Sequence, residues 1–491
     1  MTGSSWIIFV PLLLFLLALL FIARSEACKS GGDFIKSYFL GDRALQGFVL
    51  AMTLVATYGS VSSFVSGPGL AWRYGLGWVV FAAPQIITGF LVLGVLGKKM
   101  SLVSRRIGAI TVIDVIVARF KSSALGAFLS LSLLFFFIAM MVGQFIGGAQ
   151  LISQAAGIHY VAGLVLFGSV VVLYTTFGGF RAVAITDTVC ALLMLAGMGV
   201  LAADIIGEAG GLTLLMQKIA KDAGAQQAAA FIDPTSCGAL PLTLLFSSWI
   251  LVGFATVALP QSAVRCMAYK STQDLHLAMI VSTVVCGALM IGMTLLGFLA
   301  RAAVPESEAF GGNTDAMIPY LIAHHMNPWV AGITLVAPIA ATMSTVSSLL
   351  IAASSAIIKD LILRRYSLLP DRSEQVARFA KICTFFIGLL SLILAINPFE
   401  IIVWINMFAF GGLEIAFLCP LVGGLFWSRA TAKGAWVSVL GGLAVYAWAC
   451  LAKPDLGGWH AVSPALVVSI ISFVLVSLAE TKNINQDFFP Q

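Results

Sequence analysis

The sequence predicts an all-α polytopic membrane protein with thirteen transmembrane helices. Two observations carry that class. Of its 491 residues, 60% are hydrophobic and 10% charged, at a mean hydropathy of +1.03, whereas a soluble globular domain carries roughly 25% charged residues. The apolar residues also gather into runs close to or above the roughly 20 that a helix needs to cross the hydrocarbon core. These runs lie at 6–23, 46–66, 76–96, 124–155, 160–177, 183–206, 239–259, 275–299, 328–357, 377–396, 399–425, 434–451 and 462–478. A backbone in lipid must satisfy its own hydrogen bonds, so runs of this length are helices.

The first run has no basic segment before it and is long enough to span, so a retained helix is expected rather than a cleaved leader. Lys and Arg orient the rest. Loops after odd-numbered spans, counted with Arg378 and Lys381 at the rim of the tenth span, carry 21 of them and loops after even-numbered spans carry 5, with Lys482 in the tail completing the 27. By the positive-inside rule the odd loops are cytoplasmic, the N-terminus is outside and the C-terminus inside. Lys98, Lys99, Arg105, Arg106, Arg364 and Arg365 read as topology anchors. The net charge of +6 does not point to nucleic acid, because the basic residues sit at span ends without interleaved aromatics. The eight cysteines show no metal spacing. Cys190, Cys286 and Cys419 fall in apolar runs and read as small buried hydrophobes. His324 and His325 are adjacent, which suits one metal ion poorly.

Three spans carry polar residues that lipid would not tolerate. In the second, LVATYGSVSSFVSGPG (54–69) combines Thr57, Tyr58, Ser60, Ser62 and Ser63 with Gly59, Gly67, Pro68 and Gly69. Two readings stay open: a helix broken near 56–60 that frees carbonyls to hold a cation, or small hydroxyl residues packing helix against helix. In the ninth, Ser344, Thr345, Ser347 and Ser348 lie on about two adjacent turns. Hard cations such as sodium prefer such oxygens, and carbonyls from a broken helix with hydroxyls from a straight one would make a neutral, reversible site. In the eleventh, Gly411 and Gly412 fall near the middle and Glu414 follows. A carboxyl there is either functional or held by a neighbouring helix. Asp187, at the start of the sixth span, is either an acid placed at a helix N-terminus or a station for ion release to the cytoplasm.

Other function classes find little support. No histidine lies deep in a span and no nucleophile–base motif appears, so an embedded enzyme is not expected. The stretch after residue 478 holds 13 residues, so no signalling domain is expected there. No channel filter signature is present.

The motifs LYTTFGGFRAVAITD (173–187) and AFGGLEIAFLCPLVGGLFWSRATAKGA (409–435) resemble the two signature regions of the sodium:solute symporter family. The resemblance runs from YFLGDR (38–43) to WSRATAKGA (427–435). It implies a leucine-transporter-like fold with two inverted five-helix repeats, spans 2–6 and 7–11. The repeat core would be 46–425, with an extra helix in 1–45 and two more in 426–491, all one transporter domain. Spans 2 and 7 would be broken at the midplane, the latter at its breakers Gly253 and Pro260. Sodium, as coupling ion and with no other cofactor, would be held by carbonyls of Ala56, Gly59 and Ala341 and hydroxyls of Ser344 and Thr345. Substrate would lie against Tyr58, Ser60 and Ser62, facing Gln144 and Thr256. Asp187, Gly411, Gly412 and Glu414 would serve gating or coupling.

Within that family, LAMTLVATYGSVSSFVSGPG, YGLGWV, QFIGGAQL, LPQSAVRCMAYK and IIVWINMFAFGGLE are similar to members that carry pantothenate. Proline-type members have an acid where this chain has Tyr58, and sugar-type members have amide and acid groups that are absent here. With no acid in the second span, an anionic substrate could supply sodium's counter-charge. The resemblance therefore implies a multi-pass symporter of the inner membrane, working by alternating access, with no protein partner. The alternatives are a sodium or proton symporter for another monocarboxylate or an amino acid.

Overall fold

The computed structural model describes residues 3–27, 34–364, 373–398 and 401–480. Within them it is all helical, and the sole strand-like pairing is an isolated bridge between Leu45 and Tyr269. The expected start of the eleventh span, and the basic residues Arg365 and Lys482, lie outside the described residues.

Among the described residues ten helical stretches are long and apolar enough to cross a membrane, and two bent pairs make twelve. We number the spans in chain order. α1 is Gly3–Ala27. α2 is a bent pair, α2a (Gly47–Tyr58) and α2b (Ser62–Tyr74), and α3 is Leu76–Arg106. α4 is Ser123–Ala156, and the stretch Tyr160–Glu208 holds α5 and α6. α7 is the second bent pair, α7a (Leu242–Ala258) and α7b (Pro260–Ala268), followed by α8 (Thr272–Ala302) and α9 (Pro328–Leu363). The last four are α10 (Gln375–Leu394), α11 (Ile402–Phe426), α12 (Ala432–Ala452) and α13 (Val462–Ala479).

The thirteenth span comes from dividing Tyr160–Glu208 at Gly179. That residue has φ +66° and ψ −176°, a region open almost only to glycine. Residues 160–177 and 183–206 were expected to be separate spans joined by a turn. The turn needs no loop: helix runs up to the break and resumes at once, so no exposed linker separates the two.

Several expected ends move. α2 was expected to stop at 66 but continues through Gly67–Pro68–Gly69 to Tyr74. A widened turn over Ser62–Ser66 precedes Pro68, and such a turn accommodates a residue with no N–H. α3 reaches Arg106, ten residues beyond its apolar run, because the amphipathic turns Lys98–Arg106 continue the helix past the lipid. α9 likewise extends to Leu363. In α7 the bend is at Leu259–Pro260, and Gly253 is not the breaker it was expected to be. A Cβ at Gly253 would stand 2.6 Å from Pro84, so that glycine serves close helix packing.

α9 is the axis of the molecule. Its most apolar window is 94% buried, against 33% for α1. A helix surrounded by protein can be built from Ala, Ser and Thr, whereas the outer spans turn large residues such as Phe21, Val284, Phe386 and Leu475 to the lipid side. Cys190, Cys286 and Cys419 are buried free thiols, as expected.

Gly179→Ala should lower the thermal midpoint. The backbone geometry would cost about 1–3 kcal/mol for an L-residue, and the added methyl would meet Tyr38 Cδ2 at 2.7 Å. Thermal unfolding in detergent checks this, and an unshifted midpoint would mean that the turn tolerates a side chain.

Candidate ion and substrate site

The site is organised by the break in α2. α2a ends where Gly59 N donates to Val55 O at 2.7 Å, and helix resumes at Val61 after a bend of 67°. Carbonyls at the end of α2a therefore lose their intrahelical partners. α9 supplies replacements. Ser344 Oγ donates to Ala56 O at 2.9 Å and lies 3.0 Å from Ala341 O. Thr345 Oγ1 lies 3.5 Å from Gly59 O and 3.1 Å from Ala341 O. The structure thus brings all five expected cation ligands together, three carbonyls and two hydroxyls from α2a and α9. Ala56, Ala341, Ser344 and Thr345 are fully buried. A hydroxyl that rotates its hydrogen away presents a lone pair, so this cluster can exchange internal hydrogen bonds for a hard cation.

A cavity lies beside the break. Tyr58, Ser60, Ser62 and Ser63 line it from α2, and Val403, Asn406, Met407 and Phe410 from α11. The last four repeat at helical spacing, one face of α11. Asn406 Nδ2 donates to Ser62 Oγ across the cavity. Tyr58 packs edge-on against Phe410 at a centroid distance of 6.3 Å. Three of the five expected substrate residues are therefore on the lining.

The other two are not on the lining, although Gln144 Nε2 donates to Asn406 Oδ1 behind it at 3.4 Å. Gln144, buried in α4, accepts from Val61 N through Oε1 at 3.0 Å. It satisfies the first free N–H of α2b and so stabilises the break. Thr256 Oγ1 donates to Gly253 O at 2.5 Å within α7 and is fully buried. Asn406, which the sequence reading passed over, could have been found by the signal that found Glu414: a polar side chain at membrane depth in α11.

Asp187 lies more than two turns beyond Gly179 in α6, too far along for an N-terminal dipole role. Its Oδ2 accepts from Thr53 Oγ1 at 2.6 Å and Ser348 Oγ at 3.3 Å, and pairs with Arg265 Nη2 at 3.3 Å. Arg265 also donates to Ser348 Oγ at 2.8 Å and to Gln261 O at 2.7 Å. Arg265 was expected in a cytoplasmic loop; it is 2% exposed, in α7b. The pair joins α2a, α6, α7b and α9. Thr57, next to Ala56, lies 3.2 Å from Ser348, so Ser348 and Thr57 link the ion pair to the candidate cation ligands.

The remaining expected residues cluster in α11. A Cβ at Gly411 would meet Tyr446 Oη at 2.6 Å, and one at Gly412 would meet Phe136 at 2.0 Å. These glycines let α12 and α4 approach α11. Glu414 is fully buried one turn beyond Phe410, and neither of its oxygens has a hydrogen-bond partner among the described residues.

Two bent helices at the centre of a bundle, with oxygens and a cavity at one bend, define an α-helical membrane transporter. The sodium:solute symporter family model matches residues 38–442. The chain is 42% identical over 456 residues to the sodium/pantothenate symporter of Escherichia coli (strain K12), covering 91% of each. It is 41% identical over 453 residues to the sodium/pantothenate symporter of Haemophilus influenzae, again with 91% of each covered. Among solved structures, a Na+-coupled sialic acid symporter in a substrate-bound outward-open state superposes with a TM-score of 0.80 at 21% identity, covering 97% of this chain and 98% of that one. The chain belongs to the sodium:solute symporter family. It has the expected leucine-transporter-like fold, and it is a transporter rather than an enzyme.

Arg265→Met should destabilise the protein by about 3–5 kcal/mol, because it leaves a buried carboxylate without its counter-charge. Adding Asp187→Asn should recover most of that loss. Unfolding midpoints of the single and double variants check the coupling, and strictly additive losses would show that the two side chains do not stabilise each other.

Proposed function

We propose that the protein is a sodium-coupled importer of pantothenate, with sodium held by Ala56, Gly59, Ala341, Ser344 and Thr345 and substrate in the cavity beside them. The observation that carries this reading is the convergence of five oxygens from two helices at the bend of α2, adjoining a cavity with hydroxyls and an amide on its walls. The relatives' names supply the substrate. Pantothenate offers a carboxylate, two hydroxyls and an amide. Ser60, Ser62 and Asn406 match the polar groups, while Trp78, Met407 and Phe410 match its dimethyl carbon.

On this reading sodium is cargo and driving ion together. The site carries no acid, so the ion's charge favours an anion in the adjoining cavity, and each ligand raises the other's affinity. The two inverted halves, α2–α6 and α7–α11, exchange the open side by rocking about the bends. The Asp187–Arg265 pair closes the cytoplasmic route, and its release through Ser348 and Thr57 lets sodium leave inward. The charge split, 20 to 5 once the buried Arg265 is set aside (21 − 1), supports an N-terminus outside and a C-terminus in the cytoplasm, in the inner membrane. No protein partner is implied.

A second reading has one observation in its favour. Glu414 is a buried carboxyl without a hydrogen-bond partner among the described residues, and an unpaired charge at membrane depth costs at least about 2.5–3.5 kcal/mol. A proton on Glu414 removes that cost and could be carried with substrate, so protons could replace or join sodium. Other monocarboxylates or an amino acid would then be served by the same cavity.

Uptake of labelled pantothenate into proteoliposomes separates these readings. An inward sodium gradient should drive accumulation and potassium should not. Ser344→Ala with Thr345→Ala should weaken sodium activation by about tenfold or more, since each lost ligand is worth roughly 1–3 kcal/mol. Glu414→Gln should keep sodium-driven uptake. Accumulation driven by a pH gradient alone, and lost in Glu414→Gln, would replace sodium with the proton.

A further inference from the structure

A buried carboxylate at the edge of the cavity has no part in the site described above. Asp315 belongs to the short turn Thr314–Ala316, just ahead of the helix Met317–His325. It is 2% exposed. Its Oδ1 accepts from Ser66 Oγ at 2.6 Å, and its Oδ2 accepts from Ile402 N at 3.1 Å. Ser66 directly precedes Gly67 in α2b, and Ile402 directly precedes Val403 in α11. Gly67 and Val403 both line the cavity. One side chain therefore ties the two facing walls at their rim.

Other features fix this contact in place. A Cβ on Gly69 would stand 2.1 Å from Thr314 O, so the turn is seated hard against α2b. The N-terminus of α11 has no side-chain cap of its own, since Ile401 precedes it, and Asp315 supplies the acceptor from 87 residues away. Asn313 Oδ1 accepts from Asp315 N at 3.0 Å, holding the turn. Burial pushes the Asp315 carboxyl up, while the bonds from Ser66 and Ile402 pull it back down.

We propose that Asp315 sets the width of the cavity mouth, holding α2b and α11 at a fixed separation and so controlling passage between the cavity and the outer loops. It is a positioning residue: it touches the walls and not the substrate. The proposal rests on the reading of this cavity as the transport site. Hydrogen bonds to an ionised acceptor are roughly twice as strong as neutral ones, and here both are made by one rigid two-carbon side chain. Movement of either wall away from the other must break one of them.

The test is labelling of Ser63→Cys, on the cavity lining, by a membrane-impermeant maleimide in intact cells. Labelling is read at that peptide by mass spectrometry, with the exposed Cys237 as internal control. Adding Asp315→Ala should speed labelling at position 63 by roughly tenfold and leave Cys237 unchanged. Asp315→Asn, which keeps one acceptor, should fall between. In uptake, KM should rise more than Vmax falls. Unchanged labelling at position 63 in both variants overturns the proposal. Should Asp315→Ala fail to reach the membrane, Ser66→Ala decides in its place: faster labelling supports the latch and an unchanged rate removes it. Labelling needs no substrate, so a failure of pantothenate uptake by the unsubstituted protein would sink the substrate and leave this result standing.

Discussion

The structure depends on one constraint: a backbone broken inside a membrane must find its hydrogen bonds within the protein. Lipid offers none, and each unsatisfied group costs several kcal/mol. The bend at Gly59–Val61 frees carbonyls on one side and N–H groups on the other. Ser344 and Thr345 answer the first, and Gln144 answers the second. That requirement shapes the neighbours. α9 must run close to α2a, so it is rich in Ala and Ser and buried over nearly its whole length. α4 must place an amide at membrane depth. The hydroxyls that complete the fold are the groups a cation could claim, so stability and ion binding draw on the same oxygens.

The second bent helix answers to a different demand. α7 bends by 43° where Pro260 removes a donor, and its second half carries Arg265 into the protein. A buried guanidinium is tolerable only with a carboxylate and full hydrogen bonding. Asp187, Thr53, Ser348 and the carbonyl of Gln261 provide both. The two bends therefore do complementary work: α2 frees neutral oxygens, and α7 delivers a charge that locks four helices together.

Much of this was legible in the sequence, for identifiable reasons. Hydropathy found every span, because lipid imposes length on helices. Span ends were less visible, since amphipathic turns such as Lys98–Arg106 continue a helix without continuing its apolar run. The meeting of α2a carbonyls with α9 hydroxyls was legible because hydroxyls and helix breakers stand out in apolar spans, and the family resemblance named the same residues. Arg265 was not. A count of positive charges places it in a loop, and nothing local distinguishes a buried arginine from an anchoring one until its carboxylate, 78 residues away in sequence, is located. Gln144 was noticed as polar, but its bond to Val61 N was not, because one sequence cannot say that an amide meets a broken backbone. Asp315 was missed altogether, since an acid between two spans is the most ordinary residue there.

The electrostatic balance of the centre follows from these placements. Asp187 is matched by Arg265, and the oxygens at the α2 bend are neutral. Among the proposed ligands there is no formal charge to oppose that of a bound sodium ion. Two unit charges about 5 Å apart attract by roughly 3 kcal/mol at an effective dielectric constant near 20. On the proposed reading a carboxylate substrate in the adjoining cavity supplies that attraction, and sodium supplies it to the substrate. A fixed acid in α2 would hold the ion without the substrate and weaken the dependence of one on the other. On that reading Tyr58 in place of an acid ties occupancy of the two sites together, and coupling would arise from the charge that the protein leaves out.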